Sequence, residues 1–182
     1  MRIITGCARG TKLKTPKGLS TRPTADRVKE SLFSILGNRL EGAHVLDLFA
    51  GTGALGLEAL SRGAASAVLV DASTSILIKQ NASAAKLTDK VEVIGADCLR
   101  FLRRMAHEQR RFDMIFCDPP YNQGYPAAVL AWLDKKPILT DVGILILEHS
   151  HHEPVSDDSL ERLQIVRREK YGETVVAFFR YK

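Results

Sequence analysis

An α/β fold with a mostly parallel sheet, helices on both faces, an antiparallel terminal hairpin at the sheet edge and a small N-terminal hairpin extension is predicted by three observations. From His44 onward, short apolar runs alternate with helix-length segments. The first run ends in a cluster of glycines. The last two runs are separated by a tight turn with no helix between them. Strands joined through helices need crossover connections, which make neighbouring strands parallel and cover both sheet faces.

The elements follow in order. RIIT and TKLKT read as two short strands joined by CARG, a hairpin whose Gly6 and Gly10 supply turn geometry. TADRVKESLFSIL puts Val28, Leu32, Ile35 and Leu36 at helical spacing, with Thr24 as its N-cap. HVLDLF is the first strand of the body and GALGLEALSRG its helix, closed by Gly63. SAVLVD, VEVIGAD, FDMIFCDPP and VGILILEHS continue as strands, separated by the helical segments STSILIKQNASAAKL, CLRFLRRMAHEQ and PAAVLAWLD. ERLQIVRREKYG and ETVVAFFRYK form the terminal hairpin.

Composition narrows the function classes. The chain has 182 residues, 45% hydrophobic and 26% charged, which is ordinary globular usage and not that of a disordered, collagen-like or coiled-coil chain. No apolar run approaches the ~18 residues that span a bilayer, and the N-terminus lacks a signal-peptide pattern, so a cytoplasmic protein without membrane contact is expected. Cys7, Cys98 and Cys117 are odd in number and far apart, which fits reduced thiols. The formal charge of +5 is unevenly placed: residues 1–22 carry six basic side chains and no acid, and the rest sums to −1. A basic arm on a near-neutral body implies a polyanionic partner. Accordingly, residues 1–23 are expected to form an arm and 24–182 the main domain.

The segment LDLFAGTGALGLEAL holds Gly51, Gly53 and Gly56 between a strand and a helix, and Asp71 ends the next strand 20 residues after Gly51. Glycine permits a sharp turn and close approach of a ligand to backbone, and an acid at that second strand end can accept from ribose hydroxyls. Together they indicate a nucleoside cofactor at the carboxyl ends of the strands. A plainer alternative has the glycines only turning the chain and Asp71 only capping a helix. Asp47 inside the first strand disfavours a pyrophosphate-bearing dinucleotide and favours S-adenosylmethionine, which brings an amino group and a sulfonium.

FDMIFCDPPY is the most specific signal. A strand ends in Asp118, Pro119 and Pro120 stiffen the next steps, and Tyr121 offers an aromatic face. The Asp oxygen and the carbonyl between the prolines can both accept from one exocyclic amine, while a planar base lies over Tyr121.

On these residues the chain resembles the amino-methyltransferases of the S-adenosylmethionine-dependent, Rossmann-like superfamily. More narrowly it resembles the RsmD family of bacterial 16S ribosomal RNA guanine-N2 methyltransferases. The resemblance runs through RIITGCARGTKLKTP, TRPTADRVKESLFSIL, VLDLFAGTGALGLEALSRGA, GADCLRFL, FDMIFCDPPY and YGETVVAFF, with the TRPT-x-DRVKE segment the narrower marker. It implies a Rossmann-like methyltransferase sheet. It also implies that Asp47, Gly51 and Gly53 meet the methionine end of the cofactor, Asp71 its ribose, and Asp97 with the Cys98 backbone its adenine, with Phe49 and Ala72 also among the cofactor-binding residues. Asp118, Pro119, Pro120 and Tyr121 are then the catalytic set. Arg2, Arg9, Lys12, Lys14 and Lys17 would grip RNA phosphates, with Arg22, Pro23, Thr24 and Arg27 at the mouth of the site. The substrate implied is 16S ribosomal RNA in the small subunit or an assembly intermediate, the enzyme a monomer, and the product S-adenosylhomocysteine.

Asp118 is expected to keep a pKa near ~4, too weak a base to remove a proton before transfer. His149, His151 and His152 are read as solvated, and no metal is expected. Arg100, Arg103, Arg104, Arg110 and Arg111 read as a solvated helix face, Trp132 as helix packing, and Phe178 and Phe179 as one core and one sheet-surface residue. Glu148 has no assigned role. The alternatives are a DNA or other RNA amino-methyltransferase acting on adenine N6, a nicotinamide-dependent oxidoreductase, and a non-catalytic RNA-binding relative.

Overall fold

The computed structural model describes residues 1–16, 23–105 and 107–182, with side chains in the first helix from Arg27 onward. Seven strands make one sheet in the order β3-β2-β1-β4-β5-β7-β6. They are β1 (His44–Leu48), β2 (Ser66–Val70), β3 (Val91–Ile94), β4 (Phe112–Cys117), β5 (Leu139–Ser150), β6 (Leu163–Tyr171) and β7 (Thr174–Tyr181). The first five pair in parallel and β7 runs antiparallel to both β5 and β6. This is the predicted Rossmann-like methyltransferase sheet, with its terminal hairpin at the edge. The helices are α1 (Pro23–Leu36), α2 (Ala54–Ser61), α3 (Ser75–Ala84), α4 (Cys98–Met105) and α5 (Tyr125–Lys135). Helix α1 starts at Pro23, so Thr24 lies inside the first turn and is not the expected N-cap. Proline suits that first position because its fixed φ is helical and its missing N–H has no partner there anyway.

Strand alternation splits the core in two. Phe116, Ile146 and Phe178 pack with α1, α2 and α3 on one face, through Leu32, Leu57 and Ile78. Cys117, Leu147 and Phe179 pack with α4 and α5 on the other, through Leu102 and Leu133. Phe178 and Phe179 are therefore both core, because helices cover both faces; the expected sheet-surface placement of one of them is wrong. Trp132 packs against the second cluster, as expected. No described helix is long and apolar enough to cross a membrane.

The N-terminal segment forms a weaker hairpin than predicted. A single antiparallel bridge, Arg2 with Lys12, replaces the two-strand ladder. Backbone groups that would extend the ladder bond to α2 instead. Ile4 and Thr5 N–H donate to the Glu58 carboxylate at 2.7 and 3.0 Å, and Cys7 N–H donates to the Ser61 carbonyl at 2.8 Å. Glu58 is fully buried, paired with Lys29 at 3.5 Å and with Arg62 at 2.8 Å. Ile3 and Leu13 join the same core cluster as α1 and α2.

Candidate active site

Strand order reverses between β1 and β4, and crevices outside the carboxyl ends of strands at such a switch point bind ligands in open α/β sheets. A cleft of about 730 Å³ opens there. Asp47, Phe49 and Gly51 from β1 and its turn, Asp118 and Tyr121 from the β4 tip, and Glu148 from β5 all line it.

The three glycines have different jobs. A Cβ on Gly51 would meet nothing nearer than the Phe49 carbonyl oxygen at 3.9 Å, so this backbone, at φ +55°, is open to a ligand. A Cβ on Gly53 would lie 3.0 Å from Leu69, and one on Gly56 would lie 2.8 Å from Leu69 and 3.2 Å from Asp47 Oδ2. Those two let α2 sit tightly on β2. The preceding Phe49 holds φ +60°, rare for a bulky residue, with its ring set edge-on to Tyr125 at 5.0 Å. Unlike the glycines, this strained turn residue carries no sequence signal of its backbone state.

Asp47 is buried, and its Oδ2 accepts from Gly56 N–H at 2.9 Å. Burial pushes its pKa up to about 7, against the Gly56 bond and with a smaller contribution from Asp71. Asp71 accepts from Gly51 N–H at 2.9 Å on Oδ2, and from Ser73 and Thr74 N–H at 2.9 and 3.0 Å on Oδ1. Burial acts upward on its pKa, yet these bonds outweigh it and hold the carboxyl below its usual value. Asp71 thus ties the glycine turn to the residues just before α3, while its remaining lone pairs are available to a ligand. Asp97 Oδ1 accepts from Arg100 N–H at 2.9 Å at the start of α4. Cys98 is buried, its sulfur 3.2 Å from Phe49 N, and burial raises the thiol pKa to about 12. Gly53, Asp71, Ala72, Asp97 and Cys98 do not line the cleft; Ala72 is exposed just beyond the end of β2.

At the β4 tip, Pro119 is buried and Pro120 exposed. The Tyr121 hydroxyl donates to Glu148 Oε1 at 2.6 Å and lies 3.1 Å from Thr174 Oγ1. Beyond it, Asn122 and Gly124 N–H both donate to Glu153, each at 2.7 Å, tying down the loop. Glu148 lies within β5 and lines the cleft, and motif reasoning left it unassigned. A lone acid in the apolar run ILILEHS was the available signal.

Asp118 is open to the cleft but surrounded by it. Burial among the cleft walls, then the Glu148 charge, then the Asp47 charge push its pKa well above the usual carboxylate range. This direction runs against the expectation of a pKa near ~4: Asp47, Asp118 and Glu148 line one cleft, although Asp118 is itself exposed. Glu148 is also raised, mainly by burial and partly offset by the Tyr121 bond.

The histidines divide. His149 is buried, because β7 covers β5 as far as Ser150, so the reading of it as solvated is wrong. The His151 and His152 rings lie tilted against each other, 3.7 Å between centroids, and their ligand atoms lie within 4.8 Å of those of Glu173. The five arginines around α4 are exposed, as expected of a solvated face.

A family model described as "Conserved hypothetical protein 95" matches residues 1–180. An Escherichia coli relative named Ribosomal RNA small subunit methyltransferase D is 37% identical over 81% of this chain and 74% of its own length. The chain belongs to the RsmD family. A Bacillus subtilis relative, the rRNA methyltransferase candidate YlbH, is 38% identical over 99% of this chain and 98% of its own. The solved methyltransferase candidate yhhF from Escherichia coli superposes with a TM-score of 0.84 at 32% identity, covering 100% of this chain and 98% of that one.

Against the RsmD-family expectations for RNA contact, Arg2, Arg9, Lys12, Lys14 and Arg27 are all exposed. Lys14 Nζ donates to Gln80 at 3.1 Å, and its backbone N–H donates to Asn81 at 2.8 Å, holding the hairpin against α3. Lys17 and Arg22 lie outside the described residues, as does the side chain of Thr24. Lys29, unforeseen as a site residue, is buried in the cleft wall, where its ammonium donates to the Arg2 carbonyl at 2.7 Å.

Proposed function

We propose that the protein is an S-adenosylmethionine-dependent RNA methyltransferase that modifies the exocyclic N2 amine of a guanine in 16S ribosomal RNA. The substrate would be the small subunit or an assembly intermediate, met by a monomer in the cytoplasm. The observation that carries this reading is that Asp118 and Tyr121 of the β4 tip and Asp47, Phe49 and Gly51 of the β1 turn line one cleft, which Pro119 and Pro120 do not line. The names of its relatives support the RNA class of substrate.

The wall chemistry fits the cofactor. Its volume falls in the range of small-molecule sites, the Gly51 backbone is open, and Asp47 is a buried carboxyl suited to a cationic amine. Asp47, Phe49 and Gly51 would hold the methionine end, with Asp71, Ala72, Asp97 and Cys98 at the neighbouring strand ends along the rest. When bound, S-adenosylmethionine supplies an electrophilic methyl group on a sulfonium. The protein's own residues then align the amine. Asp118 and the Pro119 carbonyl would accept its two N–H bonds, returning the lone pair to nitrogen and stabilising the positive charge that develops there. Tyr121 would support the base plane, so the target guanine must be unpaired or flipped out. The exposed basic residues of the hairpin would hold neighbouring phosphates.

The test is to incubate purified protein and methyl-labelled cofactor with unmodified 16S ribosomal RNA and with small subunits, and to map the product. N2-methylguanine supports the reading. Label on adenine N6, or none on any RNA, overturns it.

A further inference from the structure

We propose that Glu148 is a positioning residue of the methyl-transfer site: it anchors the Tyr121 ring through its hydroxyl and forms with Asp118 a carboxylate pair that takes up the proton leaving the methylated amine. This rests on the reading of the cleft given above and assigns a function to Glu148, an acidic cleft residue that had none.

The geometry comes from strand register. Cys117 of β4 pairs with Leu147 of β5, so Asp118 and Glu148 occupy the next positions on adjacent parallel strands. Phe116 and Ile146 face the α1–α3 side, and alternation returns Asp118 and Glu148 to that same side. Both line the cleft. On the opposite neighbour, Glu148 is paired with Val176 of β7, which fixes its backbone from that side. Its Oε1 accepts the Tyr121 hydroxyl at 2.6 Å, and Thr174 Oγ1 stands 3.1 Å from the same hydroxyl. A stacking tyrosine on a loop would otherwise be free to swing, and these two contacts hold its far end.

The chemistry needs an acceptor. The amine nitrogen forms a bond to carbon as the carbon–sulfur bond of the methylsulfonium donor breaks, with that bonding pair remaining on sulfur. Nitrogen then carries one proton too many, and restoring a neutral N-methyl amine requires that proton to leave. A solitary aspartate of ordinary acidity is a poor recipient. Two carboxyls that resist simultaneous ionisation make a better one, and they titrate as a pair. Other ionisable groups lining the cleft include Asp47 from β1, Lys29 from α1, Cys117 from β4, Tyr121 itself, Tyr171 from β6 and Glu173 before β7. Lys29 is already engaged with Glu58 and the Arg2 carbonyl. Burial and the Glu148 charge both push Asp118 upward, in accord with the pairing.

The experiment is a carboxyl ¹³C NMR titration of the ligand-free protein and of Glu148→Gln, alongside kcat and KM profiles against pH. Glutamine keeps a carbonyl to accept the Tyr121 hydroxyl and removes the charge. The Asp118 midpoint should fall by about one pH unit in the variant, and the acid limb of kcat should move down with it, with KM for RNA within about twofold of the parent. Glu148→Ala should show the same limb shift together with a raised KM, because the ring anchor is also gone. An Asp118 midpoint that does not move, or one that moves without the kcat limb, overturns the proposal. Failure of the methyltransferase reading is seen separately, as a parent protein that labels no RNA. Should Glu148→Gln not fold, the parent decides alone: an Asp118 midpoint at the ordinary value near ~4 refutes the pair, and one raised together with the Glu148 midpoint supports it.

Discussion

Replacing Asp47 with Asn should stabilise the ligand-free protein at alkaline pH while weakening its hold on the cofactor. Asp47 is 1% exposed, and its pKa rises from 3.8 to about 7 on folding, chiefly through burial. That gap of roughly 3 pH units, at ~1.36 kcal/mol each, sets a ceiling of about 4 kcal/mol. The sign follows from the raised value. Below pH ~4 the group is neutral in both states and costs nothing. Between ~4 and ~7 the unfolded chain ionises and the native state resists, so stability falls as pH rises; above ~7 the full penalty is present. Asparagine escapes that penalty and keeps an oxygen for the Gly56 N–H now bound at 2.9 Å. Burying its amide takes back part of the gain, leaving about 2 kcal/mol, or roughly 4–8 °C in a chain of this size. Thermal unfolding of both proteins from pH 4 to 8.5 is the assay. The Tm difference should favour the parent at pH 4 by the amide cost, cross zero near pH ~5–6, and level off in favour of the variant above pH ~7. A difference independent of pH would refute the reasoning. The same carboxyl should matter to the ligand: S-adenosylhomocysteine affinity should fall about tenfold or more by calorimetry, since a charge-assisted hydrogen bond is lost. Near pH 6 the parent should also release a proton on binding, as the ligand's amino group favours the ionised form; the variant should not.

Three further outcomes are expected. Gly6→Ala should undock the hairpin, because at φ +88° the new Cβ would lie 1.8 Å from the Ser61 carbonyl oxygen; a loss of about 2 kcal/mol or more with faster N-terminal proteolysis is expected, and unchanged Tm would count against the docking. Changing Arg2, Arg9 and Lys12 together to Gln should weaken RNA binding and lower its logarithmic salt slope by about 2, with cofactor affinity unchanged; an equal loss of both would mean the hairpin serves only structure. Asp118→Ala should lower turnover at least 100-fold with S-adenosylhomocysteine affinity within a few fold, and near-normal turnover would exclude its role at the amine.

Much of the fold was legible because strands and helices write different periods into the chain. The apolar runs HVLDLF and FDMIFC and the intervening helices each announced themselves locally. The glycine turn and the D-P-P-Y tip were legible for the same reason: backbone constraint and chemistry are packed into a few consecutive residues. Glu148 was not, since one acid in an apolar strand has no local partner, and its meaning comes from Tyr121 and Asp118. His149 misled because strand ends look alike whether a neighbour covers them or not. Glu58 sits in GALGLEAL like any helix-surface acid, yet it is the buried acceptor that binds the N-terminal hairpin to the body.

The amino-acid sequence by itself determined the order and type of the elements, the glycine turn, the aspartate tip and the charge excess of the first 22 residues. Each of these depends on neighbours in the chain. Only the tertiary structure decided that the hairpin is docked on α2, that Gly53 and Gly56 serve packing while Gly51 faces the cleft, and that Asp47, Asp118 and Glu148 line one cleft. Protonation depends on burial and on charges brought together through space, and the register of three separate strands sets both.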